Sequence, residues 1–190
     1  MESNVKTASS QTYPSGLYVI ATPIGNLRDI SLRALDVLAL CDVILCEDTR
    51  TSSTLLSHHN IDVPLISYHD HNGDQRRPEV MQMLAEGKHV GLISDAGTPL
   101  IADPGYKLVR DAREAGHYVS TLPGASSVMA ALCVAGLPTH QFTFIGFLPP
   151  KTQGVENSLQ PFRNYTGTLV AFESAKRLVK TLAVIEKTLG

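Results

Sequence analysis

The sequence predicts an α/β protein with a mostly parallel sheet and flanking helices, followed by the beginning of a second α/β domain. Three observations support this fold class. Short apolar runs of strand length alternate along the chain with stretches of helical periodicity. Gly87, Gly116 and Gly136 each follow a helical pattern, where a helix commonly ends in a left-handed residue. Strands that alternate with helices in this way form βαβ units, and such units build parallel sheets.

The first part of the chain contains most of the predicted elements. The polar segment 1–15 is predicted to be a flexible tail. Five strands are predicted, at Leu17–Ala21, Val43–Cys46, Pro64–Ser67, His89–Ile93 and Tyr118–Leu122. Leucines at helical spacing predict a first helix over Ser31–Leu40. After the fourth strand, Asp103 is predicted to cap a helix that has Pro104 at its first position.

A change of pattern near Pro138 predicts a domain boundary, so that residues 16–138 form the N-terminal α/β domain. Two strands and two helices are predicted beyond it, at Phe142–Phe147, Val155–Asn164, Thr168–Phe172 and Ala175–Leu189. These four elements are too few to bury a core by themselves. We therefore expect residues 139–190 to be the start of a second α/β domain that is incomplete.

Composition excludes several classes of protein. The chain has 190 residues, of which 43% are hydrophobic and 18% charged, so it can form a core and is not disordered throughout. Its formal net charge is −2, whereas a free-standing nucleic-acid binder is usually basic. Its three cysteines are an odd number without Cys-x-x-Cys spacing, which argues against a disulfide framework and favours a reducing, cytoplasmic setting.

Unusual loops follow four of the predicted strands. They span residues 22–29, 47–50, 94–105 and 123–127, and they are rich in small residues, prolines and charges. Any one of them alone is more often a turn, an ion cluster or a helix cap than a ligand site. Together they would meet at the carboxyl edge of a parallel sheet, where α/β proteins bind ligands. The sequence therefore predicts a ligand site at this edge.

Motifs that are absent narrow the choice of ligand. The chain has no Gly-x-Gly, which argues against the usual dinucleotide fingerprint and against the glycine-rich loop of ordinary Rossmann methyltransferases. The histidine pairs His58-His59 and His69-x-His71 lack companion ligands at metal spacing. We predict no metal site, and a substrate contact by His69 or His71 stays open.

Several motifs together resemble one family. The chain is similar over residues 16–190 to the ribosomal RNA small-subunit methyltransferase I family, within the tetrapyrrole methylase superfamily. The resemblance is carried by the segments Leu17–Leu27, Glu47–Arg50, Ser94–Gly105, Pro123-Gly124, Gly136–Pro138, Gly146–Pro149 and Phe172–Ser174. Ala102 departs from the family, whose members usually have serine or asparagine there.

The resemblance implies an enzyme that uses S-adenosylmethionine to methylate the 2′-oxygen of a cytidine ribose in small-subunit (16S) rRNA. It also implies two α/β domains, a homodimer and the assembled small subunit as partner. No membrane contact is expected, because the most apolar stretch, Gly124–Leu137, is too short to cross a bilayer. Two alternatives stay open. One is a methyltransferase of the same superfamily that acts on a tetrapyrrole precursor or on diphthine. The other is a truncated cofactor-binding or dimerisation module without catalytic activity.

Candidate site residues follow from the loops and from the resemblance. A carboxylate could accept the proton of the ribose hydroxyl, and the candidates are Glu47, Asp48 and Asp29, with Arg50 as their partner. Equally, Asp48 and Arg50 could only pair with each other and fix the loop. Positions that match cofactor-binding positions of the superfamily are Pro23, Asp95, Ala96, Gly97, Ile101, Ala102, Ser126, Ser127 and Phe172. Arginines expected to contact RNA, besides Arg50, are Arg28, Arg33, Arg76 and Arg77.

Overall fold

Five parallel strands form the central sheet of the first part of the chain. The computed structural model describes residues 12–190, which divide into two units between Ala125 and Ser126. The strands are β1 (Gly16–Ile20), β2 (Val43–Cys46), β3 (Leu65–Ser67), β4 (His89–Ile93) and β5 (Val119–Leu122). Their order across the sheet is β3-β2-β4-β1-β5, and every pairing is parallel. The predicted fold class is confirmed, and each predicted strand of this unit lies within one residue of the observed one.

Helices cover both faces of this sheet. They are α1 (Leu32–Leu40), α2 (Thr49–His58), α3 (Gly73–Ala85) and α4 (Tyr106–Glu114). Because side chains alternate along a strand, Leu17 and Val19 pack with α3 and α4, while Tyr18 and Ile20 pack with α1 and α2. Both apolar layers are buried, so each face of the sheet contributes to the core.

The topology opens a crevice at the carboxyl end of β4. This strand lies between β2 and β1, whose chains continue into α2 and α1 on one face of the sheet. The chain leaving β4 continues instead into α4 on the opposite face. Where neighbouring strands send their connections to opposite faces, the loops separate and leave room for a ligand.

The predicted start of the fourth helix is wrong. Helix α4 begins at Tyr106, and its N-cap residue is Gly105 rather than Asp103. Ala102 and Gly105 both have positive φ, at 65° and 121°, so the chain turns sharply before the helix can begin. Asp103 therefore lies inside the loop, and its carboxyl group interacts with other residues of the sheet edge.

The last residues before β1 pack against the first unit. The Tyr13 ring lies edge-on to Tyr18, at 6.4 Å between ring centres, and Tyr18 donates its hydroxyl hydrogen to the Pro14 carbonyl. The Tyr13 carbonyl accepts a hydrogen bond from His89 Nε2 at 3.0 Å. The remainder of the predicted tail, residues 1–11, lies outside the described residues.

The second unit contains a smaller parallel pair of strands. Its elements are α5 (Ser127–Val134), β6 (Phe142–Phe147), α6 (Thr152–Leu159), a 3₁₀ turn (Gln160–Phe162), β7 (Thr168–Phe172) and α7 (Leu178–Leu189). Strands β6 and β7 are parallel, and Leu148, Val155, Leu159 and Val184 form a buried cluster beside them. The boundary near Pro138 and the incompleteness of this domain stay predictions. No helix within residues 12–190 is long and apolar enough to cross a membrane.

Candidate active site at the carboxyl edge of the sheet

Hydrogen bonds join the loop after β1 to the loop after β4. The backbone N–H of Thr22 donates to the Gly97 carbonyl at 2.9 Å, and the N–H of Gly97 donates back at 3.1 Å. The buried Thr22 hydroxyl donates to the Ser94 carbonyl at 3.0 Å, and the Ser94 hydroxyl donates to the Gly97 carbonyl at the same distance. A Cβ on Gly97, whose φ is 88°, would lie 3.3 Å from Ile24. The two loops are thereby fixed to each other at the floor of the crevice.

Two non-glycine residues of the β4 loop adopt left-handed conformations. Leu100 has a φ of 73° and Ala102 a φ of 65°. Such conformations are costly for residues with a Cβ, and they concentrate at functional sites. Between them Ile101 remains 43% exposed. The predicted cofactor positions Ala96, Ile101 and Ala102 are all exposed on this loop, whereas the sequence contained no signal for the conformation of Leu100.

Asp48 and Arg50 form a closed pair at the start of α2. Asp48 caps the helix by accepting from the Arg50 backbone N–H at 2.9 Å. The Arg50 guanidinium donates to both Asp48 oxygens, at 3.1 Å and 2.7 Å. These bonds from the Arg50 side chain and backbone lower the pKa of Asp48 to about 2. A carboxylate with so low a pKa is a weak base. This geometry therefore favours the interpretation in which Asp48 and Arg50 only pair with each other and fix the loop.

Three further carboxyl groups come from two loops at this edge. Glu47 follows β2, and Asp95 and Asp103 lie in the loop after β4. Asp95 Oδ1 accepts from the Asp48 backbone N–H at 3.1 Å, which joins these loops. Glu47, Ser94 and Asp103 line one small cavity.

Asp103 is a candidate catalytic residue that the sequence alone did not indicate. Its partial burial and the nearby charge of Glu47 raise its pKa to about 6; Asp95 adds to this rise, and a hydrogen bond with Ser94 opposes it. The sequence suggested only a helix cap, because the proximity of Asp103 to Glu47 depends on the pairing of β2 with β4. A carboxyl group that titrates near neutrality can hold or accept a proton in a reaction, which Asp48 is poorly suited to do.

A cavity of about 290 Å³ lies beside these groups, between the loop after β1 and helix α2. We call it the α2 cavity. Its walls combine apolar side chains with hydroxyl groups, and Asp95 is its charged lining residue. The residues that define it are Thr22, Pro23, Leu27, Thr51, Ser52, Thr54, Leu55, Ser94 and Asp95.

The arginines predicted to contact RNA differ in their surroundings. Arg28 is exposed in the loop after β1, and the exposed Arg33 donates to the Thr121 carbonyl at 3.4 Å. Arg76 pairs with Glu79 at 2.9 Å. Arg77 is only 21% exposed and pairs with Asp74 and Asp111, at 2.7 Å each. Two carboxylates thus neutralise Arg77, whereas the exposed Arg28 is accessible to a polyanion such as RNA.

The remaining predicted residues lie at the end of the loop after β1 or in the second unit. Asp29 is exposed in a turn, where its N–H donates to the Asn26 carbonyl. Ser126 is the N-cap of α5 and is followed by the exposed Ser127. The Phe172 ring packs within the second unit against Phe144 and Phe147, with ring centres 4.8 Å and 5.1 Å away. The catalytic role of Asp29 and the cofactor roles of Ser126, Ser127 and Phe172 stay predictions.

The histidines form no evident metal site. The rings of His69 and His71 contact each other with centres 5.9 Å apart, and the His69 backbone N–H donates to Asn72 Oδ1 at 2.8 Å. Across residues 12–190, no group of three or more histidine, cysteine, aspartate or glutamate side chains is arranged to hold a metal ion.

Comparisons with known proteins agree with this architecture. The family described as "Tetrapyrrole (Corrin/Porphyrin) Methylases" matches residues 16–189. The chain is 49% identical over 174 residues to "Ribosomal RNA small subunit methyltransferase I" of Pasteurella multocida, covering 92% of this chain and 62% of that protein. It is 46% identical to the protein of the same name from Rickettsia prowazekii, covering 93% and 63%. The chain thus spans somewhat over three fifths of the length of these relatives.

The fold also resembles that of solved structures at low sequence identity. A crystal structure of diphthine synthase superposes with a TM-score of 0.66 at 16% identity, over 88% of this chain and 71% of that one. At this identity the similarity concerns the fold alone. The two proteins therefore share this fold.

Proposed function

The chain belongs to the tetrapyrrole methylase family, and from that premise we propose that it transfers a methyl group from S-adenosylmethionine to the 2′-oxygen of a cytidine ribose in small-subunit rRNA. The observation that carries the proposal is the 49% identity to a curated small-subunit rRNA methyltransferase over 92% of this chain. The homodimer, the assembled small subunit as partner and the cytoplasmic location implied by the sequence stay predictions.

The residues of the crevice fit such a cofactor. The loop after β4 exposes backbone at Ala96, Ile101 and Ala102, and the exposed Ile101 side chain offers apolar contact. Glu47 and Asp95 make this edge acidic, which favours a cationic ligand such as a sulfonium. We assign cofactor binding to Pro23 and to the segment Asp95–Ala102. When bound there, S-adenosylmethionine supplies a methyl group already activated by its sulfonium.

The chain itself has to hold the ribose hydroxyl in line and accept its proton. Positioning alone can contribute roughly 7–11 kcal/mol to such a reaction. For the proton we assign Asp103, with Glu47 beside it, because the pKa of Asp103 lies near 6. Asp48 and Arg50 act through the start of α2, which they hold in place, and Asp95 links this segment to the loop after β4.

The proposal is tested by mapping the methyl group. The protein is incubated with radiolabelled S-adenosylmethionine and small ribosomal subunits that lack this methylation, and the rRNA is then digested and analysed by mass spectrometry. We expect one labelled nucleoside, a cytidine methylated on its ribose, and no label in subunits that are already methylated. Label on a base, or no transfer to subunits or to naked rRNA, would overturn the proposal. Transfer to diphthine or to a tetrapyrrole precursor instead would favour the alternative substrates.

A further inference from the structure

The α2 cavity has the dimensions of a small binding site. Its volume of about 290 Å³ is at the lower end of the roughly 300–1,000 Å³ typical of sites for small molecules. It shares Ser94 and Asp95 with the loop after β4, and the other walls come from the loop after β1 and from α2. A ligand in this cavity would therefore lie next to the cofactor loop without occupying the exposed segment from Ala96 to Ala102.

The lining suits a neutral ligand with one apolar face and several polar atoms. Pro23, Leu27 and Leu55 provide apolar surface, and Thr51 and Thr54 contribute hydroxyls from the first half of α2. No lysine or arginine lines the cavity. A phosphate group would thus find no counter-ion inside, whereas a base with its ribose matches this mixture of surfaces.

Ser52 gives independent support for a ligand. The residue is only 2% exposed, and among the described residues its Oγ has no hydrogen-bond partner within normal distance. The weakly polar Cys46 thiol is the side chain that interacts with it. Buried hydroxyls nearly always have a strong hydrogen-bond partner, and a thiol is a weak one, so Ser52 can still accept a hydrogen bond from or donate one to a ligand in the adjoining cavity.

The cationic residues lie beside the cavity rather than in it. Arg28 follows the lining residue Leu27, and Arg50 precedes the lining residue Thr51. Both arginines are exposed, but the Arg50 guanidinium pairs with Asp48 at 2.7 Å, so Arg28 is the cation that can contact a phosphate here. A cation at the rim, together with a lining that contains the Asp95 carboxylate and no lysine or arginine, corresponds to a nucleotide whose phosphates stay outside while its nucleoside enters.

We propose that the α2 cavity receives the nucleoside that is to be methylated, turned out of the rRNA strand. Its base packs against Leu27 and Leu55, and the Ser52 hydroxyl hydrogen-bonds to it. The 2′-oxygen then faces the loop after β4. Enzymes that act on a base commonly extrude it from the stack into a fitted pocket, and we extend this arrangement to a nucleoside that reacts at its ribose. This inference rests on the proposed function. It adds where the substrate nucleoside binds and that the nucleoside is unstacked from the rRNA strand.

The test uses three variants of the protein on α2. Thr51→Phe fills the cavity from an exposed position, and Ser52→Ala removes the unsatisfied hydroxyl. Ser53→Ala is the matched control, because Ser53 is exposed and does not line the cavity. For each variant, S-adenosylmethionine affinity is measured by calorimetry and methyl transfer to small subunits by single-turnover kinetics. Thermal melting checks that each variant is folded.

We expect Thr51→Phe to slow methyl transfer about 100-fold while cofactor affinity is retained. Ser52→Ala should reduce transfer roughly fivefold, the effect of one hydrogen bond, and Ser53→Ala should behave like the parent. A fluorescent cytidine analogue placed at the methylated position should brighten when the parent binds, and should not brighten with Thr51→Phe.

Different outcomes distinguish this inference from the function on which it rests. If the parent methylates subunits and Thr51→Phe does so equally well, the cavity does not hold the nucleoside and only the inference is overturned. The inference alone is also overturned if Thr51→Phe abolishes cofactor binding, because the cavity would then be part of the cofactor site. If the parent transfers no methyl group to subunits, the proposed function itself is overturned.

Discussion

At the scale of single residues, Asp103 and Asp48 show how two aspartates at one sheet edge acquire different chemistry. Asp103 is half-buried near Glu47, and its pKa rises to about 6. Asp48 receives both a backbone and a bidentate guanidinium hydrogen bond, and its pKa falls to about 2. The first can exchange a proton near neutrality, while the second remains ionised and structural.

The Asp103 assignment predicts how methyl transfer depends on pH. Below about 6 Asp103 is protonated and cannot accept a proton, so the single-turnover rate should fall as the solution is made more acidic. Asp103→Asn should remove this dependence and slow transfer at neutral pH by roughly 100-fold or more. Glu47→Gln should shift the dependence to lower pH, because the charge of Glu47 raises the pKa of Asp103. An unchanged pH profile in Asp103→Asn would contradict the assignment.

The Asp48 assignment predicts how stability depends on pH. Because folding lowers the pKa of Asp48 from 3.8 to about 2, its stabilising effect is complete above 3.8 and is lost as the pH falls through 2. Asp48→Asn should therefore flatten the acid decline in the free energy of unfolding, measured with urea. Asp36→Asn, which replaces an exposed aspartate of α1, is the control. An equal decline in Asp48→Asn and the parent would show that the ion pair contributes nothing.

The sequence revealed part of this residue-scale chemistry. The run Glu47–Arg50 was recognisable as a charged cluster, and mutual pairing of Asp48 and Arg50 was one of the two interpretations it allowed. The environment of Asp103 was not accessible in this way, because Glu47 lies far from it in the chain. Their proximity requires the parallel pairing of β2 with β4.

At the scale of elements, strands were easier to predict than the loops that join them. Strands buried on both faces are continuous apolar runs, such as Val43–Cys46, and their ends are marked by polar residues. The loop from Ser94 to Gly105 has no such pattern. Its residues Leu100 and Ala102 adopt left-handed conformations that neither residue type indicates in a sequence, so the start of α4 was predicted too early.

Ala102 gives a prediction for the β4 loop. Its φ of 65° is strained for alanine, so Ala102→Gly should stabilise the protein by about 0.5–1 kcal/mol after the entropic cost of glycine is subtracted. Ala85→Gly, the same substitution at the end of helix α3, should instead destabilise it by about 1 kcal/mol. Thermal or urea unfolding of both variants measures the difference. A loss of stability in Ala102→Gly would show that the conformation carries no strain.

At the scale of the whole chain, the order of strands determines where the ligand site lies. The sequence predicted a parallel sheet and a site at its carboxyl edge, but it did not predict that β4 lies between β2 and β1. That insertion depends on pairings between strands that are distant in the chain. It brings together the loops after β1, β2 and β4 and opens the crevice.

The distribution of charge over the molecule predicts how RNA binding responds to salt. With a net charge of −2, the protein depends on local cations such as Arg28 to contact phosphates. Arg28→Ala should reduce the slope of log affinity against log salt by about 1. Arg77→Ala should leave that slope unchanged, since Asp74 and Asp111 already neutralise Arg77, and it should lower stability instead. If Arg77→Ala reduced the salt slope and Arg28→Ala did not, Arg77 rather than Arg28 would be the residue that contacts phosphate.

Amide hydrogen exchange can show whether the crevice at β4 binds the methyl donor. Exchange is compared in the presence and absence of S-adenosylmethionine. We expect protection to be strongest in residues 94–102, in the loop after β4, with a further effect in the loop after β1 that is bonded to it. Protection that leaves both loops unchanged and appears elsewhere in the chain would contradict it.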